Sequence, residues 1–182
     1  MRVVAGRYRH LNLIAPLGKE TTRPTLDRIK EAMFNILNMH VIDSTVVDLF
    51  SGSGSLGIEA LSRGANHVYF NDQDNNAIKC INTNLKNIKA NKDEYTVTKL
   101  DYLEFFNYLK SNNIKIDILL LDPPYQNNIY EDIITYCLNN DLFNEGAKVM
   151  IEALLNTEIN INYNYKFYKY GEKKLILVNI TK

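Results

Sequence analysis

Residues 46–61 read VVDLFSGSGSLGIEAL. A β-branched apolar run enters an acid, Asp48, and Phe50. Gly52, Gly54 and Gly57 follow in the spacing G-x-G-x-x-G, and an apolar stretch leaves. Strand, glycine turn and helix in that order open a βαβ unit in which the backbone approaches a ligand closely. The reading extends outward from there. STVVDLF (44–50), HVYFND (67–72), EYTVTKL (94–100), IDILLLD (116–122) and AKVMIEAL (147–154) have the composition of buried strands. Between them lie helical patterns, one ending at Arg63 before Gly64. Another, over 75–90, places Ile78, Ile81, Leu85 and Ile88 on one face, and two more run to Leu109 and over 129–140. YKFYKYG and KKLILVNIT (165–181) predict a β-hairpin turning near Gly171 and Glu172. Alternating strands and helices imply a mostly parallel sheet covered on both faces, closed by an antiparallel hairpin.

Upstream, RVVAG and RHLNLIA read as a small hairpin, and a helix after Pro24 carries Leu26, Ile29, Met33 and Ile36 on one face. We therefore expect a basic extension over residues 1–40, packed on a body over residues 41–182. Residues 1–30 hold Arg2, Arg7, Arg9, Lys19, Arg23, Arg28 and Lys30 against Glu20 and Asp27, although the whole chain has no net charge. A basic segment on an acidic body suits a polyanionic partner.

Apolar residues make up 46% of the 182-residue chain and charged residues 23%, which fits one globular domain. No run approaches the ~18 apolar residues of a membrane span, and MRVVAGRYRH lacks a signal-peptide core, so a cytoplasmic location is expected. Cys80 and Cys137 read as core residues of helices, and no metal site is expected: His10, His40 and His67 are scattered.

The acids at the strand ends define the ligand. Asp72 follows Gly52 by twenty residues, where a carboxylate can accept from both ribose hydroxyls of an adenosine. A pyrophosphate would be repelled by Asp48, ahead of the glycines. S-adenosylmethionine instead carries an amine that Asp48 could hold. Asp101 could accept from the adenine amino group, or could simply cap the next helix. Phe50 and Tyr102 complete the expected cofactor set.

LLLDPPY (119–125) then poses the chemistry. Asp122 ends a strand at the edge where open α/β sheets bind ligands. Pro123 and Pro124 stiffen the chain and leave free carbonyls, and Tyr125 offers a flat face. Such a set suits methyl transfer to the exocyclic amine of a base. The carboxylate and the Pro123 carbonyl would accept from the NH2 group and turn its lone pair toward the methyl carbon. Tyr125 would stack on the ring.

DPPY joined to this glycine loop resembles the class I S-adenosylmethionine-dependent amino-methyltransferases. TTRPTLDRIKEAMFNIL (21–37), DLFSGSGSLGIEALSRGA (48–65), YGEKKL (170–175) and the opening RVVAGRYRHLNL narrow the resemblance to the RsmD family. That family methylates N2 of a guanine in 16S ribosomal RNA. The resemblance implies a Rossmann-like, seven-stranded sheet with its last strand antiparallel. It also implies an RNA-docking N-terminal extension in which Arg7, Arg9, Arg23, Thr25 and Arg28 are candidate contacts. Where the family more often has an apolar residue and Glu, this chain has Asn71 and Asp72. The alternatives are a DNA adenine-N6 methyltransferase, a dinucleotide oxidoreductase and a non-catalytic ribosome-assembly factor. The first usually needs an added recognition domain, and the second leaves DPPY unexplained. A monomer acting on 16S RNA in a small-subunit particle is the expected arrangement.

Overall fold

Val, Ile and Leu runs that are apolar at every position can be buried on both sides, and they form the centre of the sheet. The computed structural model describes residues 1–16, 23–122, 129–158 and 162–181, the side chains of 23–26 excepted. Strands β1 (Thr45–Asp48), β2 (His67–Asn71), β3 (Tyr95–Thr98), β4 (Ile116–Leu121) and β5 (Phe143–Leu154) pair in parallel. Strands β6 (Tyr165–Tyr170) and β7 (Lys173–Asn179) form the expected hairpin, and β7 joins β5 antiparallel. The order is β3-β2-β1-β4-β5-β7-β6.

Helices α1 (Arg23–Leu37), α2 (Ser55–Ser62) and α3 (Asn75–Asn87) cover one face, while α4 (Tyr102–Ser111) and α5 (Tyr130–Asn139) cover the other. Strand alternation sorts the core between the two layers. Val46, Ile118, Leu120 and Met150 meet Met33, Leu61 and Leu85, whereas Val47, Leu119, Val149 and Ile151 meet Phe105, Phe106, Ile133 and Ile134. Cys80 and Cys137 are buried in α3 and α5 as expected.

Three expectations are adjusted. Strand β1 stops at Asp48, so Leu49 and Phe50 already belong to the turn. Strand β5 begins at Phe143, four residues before Ala147. Its pairing with β4 shifts register between Ile116 and Ile118, and Gly146, at φ +75°, stands in the shifted stretch. A turn-like sequence, NEG, is thus absorbed into a strand as an irregularity. The N-terminal hairpin is looser than two strands. It is an antiparallel pairing with one bridge, Arg2 to Asn12, supported by bonds from Val3 N–H to Leu11 O and from His10 N–H to Val3 O. Val3 and Leu13 from this pairing enter the core beside Ile29 of α1. Among the described residues no helix is long and apolar enough to cross a membrane.

Neighbours β1 and β4 send their chains to opposite sides of the sheet order, β1 toward β2 and β4 toward β5. A crevice opens at the carboxyl ends of such a pair.

Candidate active site

Asp48, the last residue of β1, is 3% exposed, and its Oδ2 accepts from the Gly57 N–H at 2.9 Å. Burial pushes its carboxyl up to about 7. The Gly57 hydrogen bond opposes the rise, and the negative charge of Asp72 adds to it. The glycines allow this approach for two different reasons. A Cβ on Gly57 would come within 2.3 Å of the Phe70 ring, so α2 can pack on β2 only without one. Gly52 has φ +55°, and the space where its Cβ would stand is open. Asp48, Phe50 and Gly52 line one cavity together with Asp122, which is exposed and directly follows β4. Strands β1 and β4 therefore bring two of the four acids singled out from sequence, Asp48 and Asp122, to one place.

Asp72 directly follows β2 and holds the glycine loop: its Oδ2 accepts from Gly52 N–H and its Oδ1 from Asp74 N–H, each at 2.9 Å. Asp101 caps α4. Its Oδ1 accepts from Leu103 and Glu104 N–H, and the Glu104 carboxylate accepts from the Asp101 N–H in a full capping box. Tyr102 packs edge-on against Phe106. Asp72 and Asp101 stand on neighbouring loops and Tyr102 opens α4, and none of the three belongs to the cavity lining. Gly54, at φ +76°, is the N-cap of α2.

Several residues that sequence reasoning missed hold these loops in place. Asn71 is buried. Its amide donates to Leu100 O at 3.0 Å and accepts from Thr98 Oγ1 at 2.8 Å and from Leu100 N–H at 3.2 Å. It thereby ties the Asp72 turn to the Asp101 turn. Asn84 of α3 donates to Ser53 O and accepts from Ile14 N–H, joining the glycine loop to the N-terminal segment. Glu59 of α2 is fully buried. It accepts from Val4 and Ala5 N–H and from Arg63 Nε, and it pairs with Lys30 Nζ at 3.3 Å. Lys30 also donates to Arg2 O and Ser55 Oγ, and burial lowers its pKa. Lys30, Met1, Ala15 and Pro16 belong to the cavity lining, so the N-terminal segment and α1 build one of its walls. Opposite, Glu152 of β5 lines the cavity and pairs with Lys173 of β7. The available signal for Glu59 and Glu152 was a lone carboxylate inside an apolar run, IEAL and MIEAL.

The basic candidates separate. Arg7 donates twice to Glu94, at 2.9 and 2.5 Å, and its backbone N–H donates to Ser62 O at the end of α2. Glu94 lies just before β3, so this turn sits at the edge of the sheet opposite Asp122. Arg9 is exposed on the same turn. Arg28 is exposed on α1, one residue after Asp27 of the cavity wall. Arg23 and Thr25 lie in the first turn of α1, but their side chains are outside the described set, as are Pro123, Pro124 and Tyr125.

The cavity suits a nucleoside ligand bearing a cation. Ionising Asp48 in its dehydrated place is unfavourable, and an ammonium beside it would offset that cost. The open space at Gly52 admits a ligand against bare backbone, and the Asp72 oxygens beside it retain lone pairs for hydroxyl donors. A seven-stranded sheet of this order, with an acid before a glycine loop and a second acid across the switch point, defines a Rossmann-like class I methyltransferase fold. The family described as conserved hypothetical protein 95, the RsmD family, matches residues 1–179, and the chain belongs to it. Ribosomal RNA small subunit methyltransferase D of Haemophilus influenzae is 35% identical over 153 residues, covering 84% of this chain and 78% of that protein. YlbH of Bacillus subtilis is 34% identical, covering 84% of this chain and 82% of its own. The solved structure of yhhF from Escherichia coli superposes with a TM-score of 0.82 at 26% identity, covering 100% of this chain and 98% of that one.

Proposed function

We infer that the protein transfers a methyl group from S-adenosylmethionine to the N2 amine of a guanine in 16S ribosomal RNA. The observation that carries this reading is that Asp48 and Asp122 share one cavity at the switch point of the sheet. The family and the name of the Haemophilus influenzae relative support the RNA substrate.

S-adenosylmethionine supplies, when bound, a methyl group already activated by a positive sulfur. Asp48 would hold its amine, Asp72 its ribose hydroxyls and Asp101 its adenine amino group, with Phe50 and Tyr102 alongside. Asp101 caps α4 through Oδ1, which accepts from both Leu103 and Glu104 N–H, and the adenine contact would fall to Oδ2. Asp122 would accept a hydrogen bond from the target NH2 and draw the nitrogen out of conjugation with the ring, so that its lone pair could take the methyl group; the sulfur would leave as a neutral thioether, and the amine would then lose one proton to solvent at the exposed Asp122. The Pro123 carbonyl and the Tyr125 ring, both outside the described residues, complete the set predicted from sequence. Most of the rate then comes from alignment, where up to about 7–11 kcal/mol of barrier is available. The extension over residues 1–40 walls the cofactor side and offers Arg28 and Arg9 to RNA, while Arg7 is committed to Glu94. A monomer in the cytoplasm, acting on a small-subunit particle, accords with this reading.

The test is methyl transfer from labelled S-adenosylmethionine to 16S RNA and to small-subunit particles from cells lacking the gene, with duplex DNA as control. Label recovered as N2-methylguanosine, and lost with Asp122→Ala, is the expected result. Label in DNA alone would move the substrate to an adenine. RNA binding without transfer by either form would make the protein an assembly factor.

A further inference from the structure

The arginines that sequence reasoning offered to RNA leave a gap. Arg7 and Arg9 lie at the edge of the sheet away from Asp122, and Arg7 is already paired. A target base held in the Asp122 cavity still needs its flanking strand held nearby. The described side chains next to the cavity lead to one surface. Glu152 lines the cavity and pairs with Lys173, Lys173 stands opposite Tyr170 in the β6–β7 register, and Tyr170 lines a groove with Arg28, Glu31, Ala32, Asn35 and Ile36 of α1. Strand alternation puts Lys166 on the same side of β6 as Tyr170, about 13 Å further along at ~3.3 Å per residue.

The segment YKFYKYGEKK (165–174) has four lysines against one glutamate and four aromatic rings, within a chain that is neutral overall; Lys173 is paired with Glu152 and Lys174 donates to Thr157 O, which leaves Lys166 and Lys169 to face outward from β6. Tyr170 is 37% exposed in the groove at the edge of the sheet, and Phe167, on the other face of β6 by the same alternation, is 62% exposed. Core packing does not require these rings, and an exposed apolar edge strand is a liability without a use. Lysines interleaved with aromatic faces match a single-stranded nucleic acid, whose phosphates need cations and whose bases stack on rings. Glu31 and Asn35 in the groove add acceptors for exocyclic base amines.

We propose that the groove between α1 and the β6–β7 hairpin holds the single-stranded RNA that flanks the target nucleotide, with Arg28 and Lys166 on phosphates and Tyr170 stacked on a base. This inference rests on the rRNA reading of the adjoining cavity and adds the route by which the strand leaves it. The hairpin is then a recognition element as well as the closing edge of the sheet.

The test compares wild type with Lys166→Glu and Tyr170→Ala in full-length protein. Three quantities are measured: S-adenosylmethionine affinity by calorimetry, affinity for 16S RNA across a salt series, and methyl transfer. Both variants should bind the cofactor as wild type does. Each should bind RNA about tenfold more weakly and raise KM for RNA while kcat at saturating RNA holds. Lys166→Glu should also make the salt dependence of log K shallower by about 0.7–0.9, the share of one phosphate contact, and Tyr170→Ala should leave that slope unchanged. Variants that methylate with wild-type KM and salt slope would overturn the docking surface and leave the enzyme reading intact. A wild-type protein that binds S-adenosylmethionine but neither binds nor methylates RNA would overturn both. A change of oligomeric state in the variants, with RNA affinity unaltered, would reassign the surface to self-association and overturn the proposal.

Discussion

Asp48 ends β1, Asp122 directly follows the neighbouring β4, and both line one cavity, yet their surroundings are opposite. Asp48 is buried, bonded to the Gly57 N–H and pushed up to about 7, whereas Asp122 is exposed. The contrast extends to the halves of the sheet around them. On the cofactor side, Asp72 bonds Gly52, Asn71 spans two turns and Asn84 anchors Ser53, so side chains from within the fold set the loops before any ligand arrives. On the target side the acid meets solvent beside an edge hairpin rich in lysine and aromatic rings. Prebuilding the cofactor half removes the ordering cost of binding a small molecule. A flipped base brings its own strand, and the protein can use contacts along that strand to hold it.

The sharpest way to break this division is Asp122→Ala. If the target half alone uses Asp122, cofactor affinity measured by calorimetry should stay within about twofold while methyl transfer falls by roughly a thousandfold or more, because alignment of the amine is lost. An equal loss in both would show that the two halves are not separable.

Next in size is Glu59→Gln, which acts on the wall shared with the N-terminal segment. It removes the charge facing Lys30 and disturbs an acceptor set shared by Val4, Ala5 and Arg63. Breaking a buried pair on one side costs about 3–5 kcal/mol. For a domain of this size that lowers Tm by roughly 10 °C, measurable by thermal unfolding. A Tm unchanged within error would mean that Lys30 finds another partner and that the wall does not depend on the pair.

Asp48→Asn should separate function from stability. Losing a charged hydrogen bond to the amine costs about 1.5–3 kcal/mol, or roughly ten- to a hundredfold in cofactor affinity. The same substitution should raise the Tm of the free protein at pH 8. The native carboxyl titrates above its ordinary value of 3.8, at about 7, so its neutral form favours the fold. That stability is full below pH 3.8 and is lost as pH rises through about 7. Asparagine never ionises and escapes the loss, worth on the order of 2–4 kcal/mol at pH 8. Cofactor affinity of the wild type should fall as pH drops below 7, and that of Asp48→Asn should not. A flat wild-type profile would remove Asp48 from the amine.

The sequence was most informative where one residue type answers one local demand. The glycine spacing marked the loop, the apolar runs marked the strands, and the acids at strand ends marked the edge. Long-range partners were out of reach. Nothing local to HVYFN says that Asn71 will meet Leu100, and nothing in IEAL says that Glu59 will meet the backbone of Val4 and Ala5. Lys30 illustrates the cost. Counted with the basic surface of residues 1–30, it is 4% exposed and works inside the wall. Asp101 was readable as a helix cap because the capping box is a four-residue pattern, DYLE, that carries its own geometry. The start of β5 was hidden because an irregularity and a turn share the same residues, Asn144 to Gly146.

The smallest effect sharpens the comparison on the RNA side. Charge alone would rank Arg7 with Arg28, since both are basic and exposed. Their surroundings differ: Arg7 is held by Glu94 at the far edge of the sheet, with its guanidinium over the Tyr8 ring at 4.8 Å, while Arg28 lines the groove beside the cavity. An exposed ion pair contributes about 0–1 kcal/mol, so Arg7→Ala should cost that much stability at most. Its RNA affinity and salt slope should match wild type, because a paired guanidinium contributes no new cation to the phosphates. Arg28→Ala should weaken RNA binding several-fold and reduce the slope by about one contact. Equal losses in the two variants, measured in the same salt series, would mean that the RNA reaches both edges of the sheet and releases Arg7 from Glu94 as it binds.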